Sequence, residues 1–147
     1  RLSDEEMRVM KAHVQITEMI LSGLVNEDVL QIAIRHHEKL DGTGYHRGLT
    51  EKDLTLPQQV VAVADILSAL YGKRSYKGSF DSDLIKKILN EDADNHKISK
   101  STVDCLMRNY DSVIKKYEEQ KGETVGLYLN IKQQYEEISK KFEGIVQ

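Results

Sequence analysis

An all-α fold is what the sequence predicts, on three observations. Apolar residues recur at spacings of three and four along most of the chain, the helical period. One proline and nine glycines in 147 residues leave few breaks, and those breaks are concentrated. No stretch alternates apolar and polar residues as a half-buried strand would. A chain of this length suits a single domain that folds without staples.

The elements follow in order. Ser3 and Glu6 stand in capping-box spacing, and Met7, Met10, Val14, Thr17 and Leu21 then recur helically until Gly23. The spacing predicts one amphipathic helix over 4–22. A second starts near Asn26 and runs through Val29, Leu30, Ala33 and Ile34 into His36 and His37. Gly42, Gly44 and Gly48 break the pattern, so 40–56 reads as an ordered loop. Pro57 suits a first helical turn, where its missing N–H costs little. Val60 to Leu70 is apolar nearly all round, which predicts a buried helix. After a polar interval from Gly72 to Ser79, short helices are expected at 81–90 and 101–119.

The tail carries a heptad-like stripe: Tyr128, Ile131, Tyr135, Ile138, Phe142 and Ile145. It predicts a separate helix over 124–147, with Gly122 and Gly126 turning the chain before it. The stripe is expected to dock on the helix at 101–119 or to form a homodimer seam. The domain layout read this way is 1–120 with an added C-terminal helix over 121–147.

Composition excludes several functions. Charged residues are 31% of the chain but the net charge is −3, which leaves no broad basic face for a nucleic-acid polymer. No apolar run reaches the roughly 20 residues that span a bilayer. Cys105 is the single cysteine, so an intrachain disulfide is ruled out, and a reducing cytoplasm fits. The first residue is Arg1 rather than methionine, so the natural start is expected elsewhere.

The residues with chemical potential are few. His36 and His37 are adjacent and precede Glu38 and a glycine-broken loop. Neighbouring helical side chains point about 100° apart, so the pair could serve two metal ions or one ion and its surroundings. A structural role is the alternative. Asp65 sits among Val60, Val61, Ala62, Val63, Ala64, Ile66 and Leu67. A carboxylate buried there needs a partner: a metal ion, a helix end or a buried cation. His13 alone reads as an ordinary boundary histidine. Arg74 and Tyr76 lie just past the apolar helix; an arginine fork suits phosphate oxygens, and a solvated arginine is the plainer reading. Histidine nitrogens with carboxylate oxygens suit manganese, iron or zinc.

Residues 36–49, H-H-E-K-L-D-G-T-G-Y-H-R-G-L, resemble the signature of the HD-GYP family, H-H-E-x-x-D-G-x-G-Y-P-x-G-L. L-P-Q-Q-V-V-A-V-A-D at 56–65 resembles the family's helix ending in a ligating aspartate, and R-S-Y at 74–76 its R-P-Y. L-S-D-E-E-M-R-V-M-K-A-H at 2–13 resembles the stretch ending in a ligand histidine. The resemblance covers roughly residues 1–115. It implies a helical bundle of the HD-domain type and a metal-dependent phosphohydrolase acting on cyclic di-GMP. It implies metal ligands at His13, His36, His37 and Asp65, acidic residues orienting ligands or loop at Glu38 and Asp41, and phosphate contacts from Arg74 and Tyr76. Gly42 and Gly44 would permit the loop, with Tyr45 at its tip. A cyclic dinucleotide substrate and a diguanylate cyclase-type partner domain are the partners it brings into view.

Three departures stand out. No His-Asp dipeptide occurs in the chain, His46 replaces the proline of G-Y-P, and Ser68 stands where a second aspartate is usual. The expectation is therefore a C-terminal portion of a catalytic domain, inactive alone. A non-catalytic signalling module and a phosphohydrolase for another nucleotide are the alternatives.

Overall fold

The computed structural model describes residues 3–72 and 81–143. It is all-α: among the described residues the only extended pairing is an isolated bridge between Asp41 and Thr50. The chain divides into two compact units, Arg1–Met107 and Arg108–Gln147.

The first unit opens with α1 (Asp4–Lys11) and α2 (His13–Leu21). Ser3 caps α1 reciprocally with Glu6: the Ser3 amide donates to the Glu6 carboxylate at 2.8 Å, and the Glu6 amide donates to Ser3 Oγ at 3.3 Å. The single helix expected over 4–22 is two segments meeting at Ala12. There the Ala12 amide is shared between the carbonyls of Arg8 (3.2 Å) and Val9 (3.1 Å), a local tightening of the helix.

Asn26 caps α3 (Glu27–Arg35) by accepting from the Val29 amide at 2.9 Å. The helix stops at Arg35, two residues short of the His37 that the pattern suggests, with His36 as its C-cap. Val14 of α2 and Leu30 and Ile34 of α3 form a buried cluster, with Leu21, Val25 and Tyr45 packed against it. This cluster fixes the ends of α2 and α3 that carry the histidines.

The loop from 40 to 55 contains one 3-10 turn, Glu51–Asp53, and leads to α4 (Leu56–Gly72). α4 packs between α3 and α5 (Ser82–Asp94), and α6 (Lys100–Arg108) closes the unit. The expectation of a helix buried all round is corrected for α4. Ala62, Val63 and Leu67 are buried, but Leu56 is 62% and Val60 44% exposed. Neighbouring helices cover only one side of it, so apolar composition overstated its burial. Among the described residues of this unit, Leu40, Leu54, Ile85, Leu89, Ala93, Ile98 and Val103 are further buried apolar side chains.

The second unit is one helix, α7 (Tyr110–Glu143). Two expectations fail here. The helix over 101–119 is divided at Asn109, a residue type that favours helix starts. The tail is not a separate helix, because Gly122 and Gly126 lie inside α7. A glycine costs only about 1 kcal/mol in a helix interior, too little to end this one. Tyr128, Ile131 and Tyr135 are 64%, 56% and 70% exposed. Ile138, Phe142 and Ile145 have side chains outside the described residues. Among the described residues no helix is long and apolar enough to cross a membrane.

Candidate metal centre

The centre is assembled where α2 begins and α3 ends. His13 is the first residue of α2, and His36 and His37 follow the last turn of α3. One ligand atom from each of the three histidines lies within 4.8 Å of the others. The ring centroids are 5.5 Å apart for His13 and His36, 5.0 Å for His13 and His37, and 4.0 Å for His36 and His37.

Hydrogen bonds set the tautomers. His13 Nδ1 lies 2.7 Å from the Met10 carbonyl, and His36 Nδ1 lies 2.7 Å from the Ala33 carbonyl. A carbonyl only accepts, so both Nδ1 atoms carry protons and both Nε2 atoms carry lone pairs. Those two Nε2 atoms face each other at 3.4 Å. Neither neutral ring can donate across that gap; a shared cation, or a proton on one ring, relieves the repulsion. Metal–nitrogen bonds of about 2.0–2.1 Å at a tetrahedral angle place two nitrogens about 3.4 Å apart. The pair therefore fits a common divalent ion, and the backbone carbonyls hold both rings in the ligating tautomer.

His37 stands beside them with Nδ1 3.5 Å from Asp65 Oδ2. Burial, and then the neighbouring His36 charge, outweigh Asp65 and pull its pKa down to about 4, with His13 adding to the effect. This environment favours the neutral imidazole, the form a metal ligand would need. Asp65 differs from the sequence reading in one respect. Its side chain is 40% exposed, even though its carboxylate lies beside His37. It is a carboxylate at the open side of the cluster, not one sealed in a core.

Glu38 and Asp41 are not in the cluster. Glu38 is only 2% exposed, and its carboxylate accepts from the amides of Arg47 (2.7 Å) and Leu49 (2.9 Å). Both oxygens thus hold the loop closed. Asp41 accepts from the hydroxyl (2.7 Å) and amide (2.9 Å) of Thr43, which keep its pKa below the usual carboxylate value. Gly42 has φ +77°, which favours glycine. Gly44 is needed for space: a Cβ there would sit 2.5 Å from Glu38 Cα. Tyr45 lies over His37, ring centroids 4.6 Å apart and planes 31° apart. Burial raises its phenol pKa above the usual value. Arg74 and Tyr76 lie outside the described residues.

Two features beside the centre were missed by sequence reasoning. Glu18 of α2 holds the loop through Arg47, whose guanidinium donates to it at 2.6 Å. No local motif links residues 29 apart, so only the fold reveals the pair. Tyr45 also lines a cleft of about 490 Å³, together with Arg8, Val9, Lys11, Ala12, Gln15 and His46.

Residues 1–99 match the HD domain family. The chain belongs to this family. Among characterised relatives, the cyclic di-GMP phosphodiesterase response regulator RpfG of Xanthomonas campestris pv. campestris is 42% identical over 86 residues, covering 56% of this chain and 23% of the relative. A cyclic di-GMP phosphodiesterase of Thermotoga maritima is 44% identical over 80 residues, covering 52% of this chain and 22% of the relative. The 3'3'-cGAMP-specific phosphodiesterase 3 of Vibrio cholerae is 38% identical over 92 residues, covering 62% and 20%. This HD domain chain spans less than a quarter of the length of each.

Proposed function

We propose that this HD domain chain forms the ligand-bearing part of a metal-dependent cyclic dinucleotide phosphodiesterase. The observation that carries the reading is the His13–His36 pair, with Nε2 atoms 3.4 Å apart and both Nδ1 protons committed to backbone carbonyls. Such an arrangement is costly without a cation and natural with one. The relatives named above, which act on cyclic di-GMP or 3'3'-cGAMP, support the substrate class.

In this reading His13, His36, His37 and Asp65 hold the metal, with iron or manganese the better match to histidine and carboxylate donors and zinc the alternative. A bound divalent ion lowers the pKa of a water and offsets charge developing on the phosphate. The chain's own residues do the rest. The Met10 and Ala33 carbonyls fix the ring orientations of His13 and His36. Asp65 steadies His37. Glu38 and Asp41 shape the loop that brings Tyr45 over His37. Arg74 and Tyr76 are assigned to the substrate phosphate on the resemblance of R-S-Y alone. The compartment that suits this activity is the cytoplasm. Four ligands shared over two ions leave coordination open, so the chain alone is expected to bind metal weakly and to turn over little substrate.

Equilibrium dialysis of the chain against Mn²⁺, Fe²⁺ and Zn²⁺ tests this. His13→Ala and His36→Ala should each weaken binding about tenfold or more, the scale seen even when ligand-supporting partners are lost. Unchanged affinity in both variants would refute the assignment.

A further inference from the structure

The second unit is a single helix, so it has no core of its own. α7 runs 34 residues with Gly122 and Gly126 in its interior, and a helix of that kind draws its stability from packing an apolar face. That face is present and uncovered: Leu127, Tyr128, Ile131 and Tyr135 are each more than half exposed. They keep one heptad register with the residues before them. Ile114, Lys121, Tyr128 and Tyr135 fall at position a, and Tyr117, Thr124 and Ile131 at position d. Lys115, Glu119, Asn130 and Gln133 occupy the exposed outer positions. Both glycines fall on outer positions too, so the stripe itself loses no side chain to them.

The charges in and beside the stripe choose between arrangements of two copies. In a parallel pair each a position faces its own equivalent, so Lys121 would meet a second Lys121 in the seam. The flanking Glu118 and Lys132 would there face Val113 and Leu127, without a charge partner across the seam. In an antiparallel pair a faces d. Centred on residue 126, such a pair sets Lys121 against Ile131, over which its alkyl stem can lie, Tyr128 against Thr124, and Tyr117 against Tyr135. The two Lys121 residues are then ten positions apart along the axis, roughly 15 Å, which is beyond a Debye length. Glu118 meets Lys132 twice, once at each side of the centre. A lysine ammonium has three donors, so contacts within its own helix do not preclude this pair. The same centre is the middle of Tyr110–Glu143, so this register overlaps almost the whole helix. Four tyrosines, two from each copy, would remove roughly 600 Å² of surface from water. Leu127 and Ile131 bring the total near the roughly 1,000 Å² that a specific interface needs.

We propose that α7 is a self-association surface on which a second copy of this chain docks as an antiparallel coiled coil centred near residue 126, its direction set by Lys121 and by the two Glu118–Lys132 pairs. The inference does not depend on the metal reading and can fail separately from it. Sedimentation equilibrium of the full chain should give twice the chain mass, with dissociation on dilution. Glu118→Lys should weaken the dimer about tenfold, since two exposed pairs turn from attraction to repulsion. Lys132→Glu should do the same, and the double variant Glu118→Lys/Lys132→Glu should restore the parent's affinity. All these side chains are exposed, so the variants leave the fold intact. Direction is read from a spin label on Lys115→Cys in a Cys105→Ser background. The antiparallel pair sets the two labels 22 positions apart along the axis, roughly 33 Å, whereas a parallel pair sets them side by side. A monomer at about 100 μM, a dimer indifferent to the charge reversals or not rescued by the double variant, or a short label-to-label distance would each overturn the proposal.

Discussion

Glu38 offers the sharpest test of how the loop works, because its position makes it look catalytic and its contacts make it structural. The side chain is 2% exposed and accepts two backbone amides, Arg47 at 2.7 Å and Leu49 at 2.9 Å. Hydrogen bonds to a charged group contribute about 1.5–3 kcal/mol each. Glu38→Gln keeps the shape and one acceptor oxygen, but its amine then faces a backbone N–H. One amide is stranded, and the loss should be about 1–3 kcal/mol. Glu38→Ala strands both and leaves a cavity, so about 3–5 kcal/mol is expected. Urea unfolding gives the stabilities, and amide exchange at Arg47 and Leu49 shows whether the loss is local. Metal affinity should fall less than in His36→Ala, since no ligand atom is removed. A Glu38→Gln protein with unchanged unfolding, unchanged exchange and abolished metal binding would refute this account and make Glu38 a ligand.

Two further outcomes follow from the same geometry. Gly44→Ala should destabilise the chain by about 1–3 kcal/mol, because its Cβ would meet the Glu38 backbone at 2.5 and 2.7 Å, where nothing flexible can yield; a melting temperature equal to the parent's would contradict it. The metal-free chain should lose stability on acidification through His37, whose folded pKa of about 4 lies below the ordinary 6.5. Between those values the unfolded chain binds the extra proton, so stability falls as pH drops from 6.5 and levels off below about 4. From pH 7 to pH 5 the unscreened loss would be about 2 kcal/mol, and about 1 kcal/mol is expected for a partly solvated ring. Comparing urea midpoints of the parent and His37→Gln at both pH values isolates it, and parallel curves would show that the ring is not so held.

Much of the centre was legible because its chemistry is local in sequence. His36 and His37 adjoin, and the glycines that shape the loop follow within a dozen residues. His13 was different. It lies 23 residues from His36, and only the resemblance gave it a role, since one histidine at a helix boundary carries no signal by itself. The fold supplies the reason: the Val14, Leu30 and Ile34 cluster clamps the start of α2 against the end of α3. Asp65 was legible as an anomaly but misread as buried. Apolar neighbours along a helix do not say how many sides other elements cover, and α4 is covered on one.

The tail shows the same limit in stronger form. A three-and-four stripe identifies a helical face and nothing about its partner. Tyr128, Ile131 and Tyr135 keep the expected register, yet all three are more than half exposed. The expected turn failed because glycine was read as a stop. Glycine ends a helix when the next residues also leave the pattern or when a positive φ is needed. Gly122 and Gly126 meet neither condition: both stand within the continuous α7, and neither has a positive φ. Gly42 and Gly48, by contrast, have φ of +77° and +66° and stand where the chain turns around Glu38. The same residue type therefore marks a functional loop in one half of the chain and passes silently through a helix in the other. The difference lies in whether a buried carboxylate nearby gives the loop's amides somewhere to go.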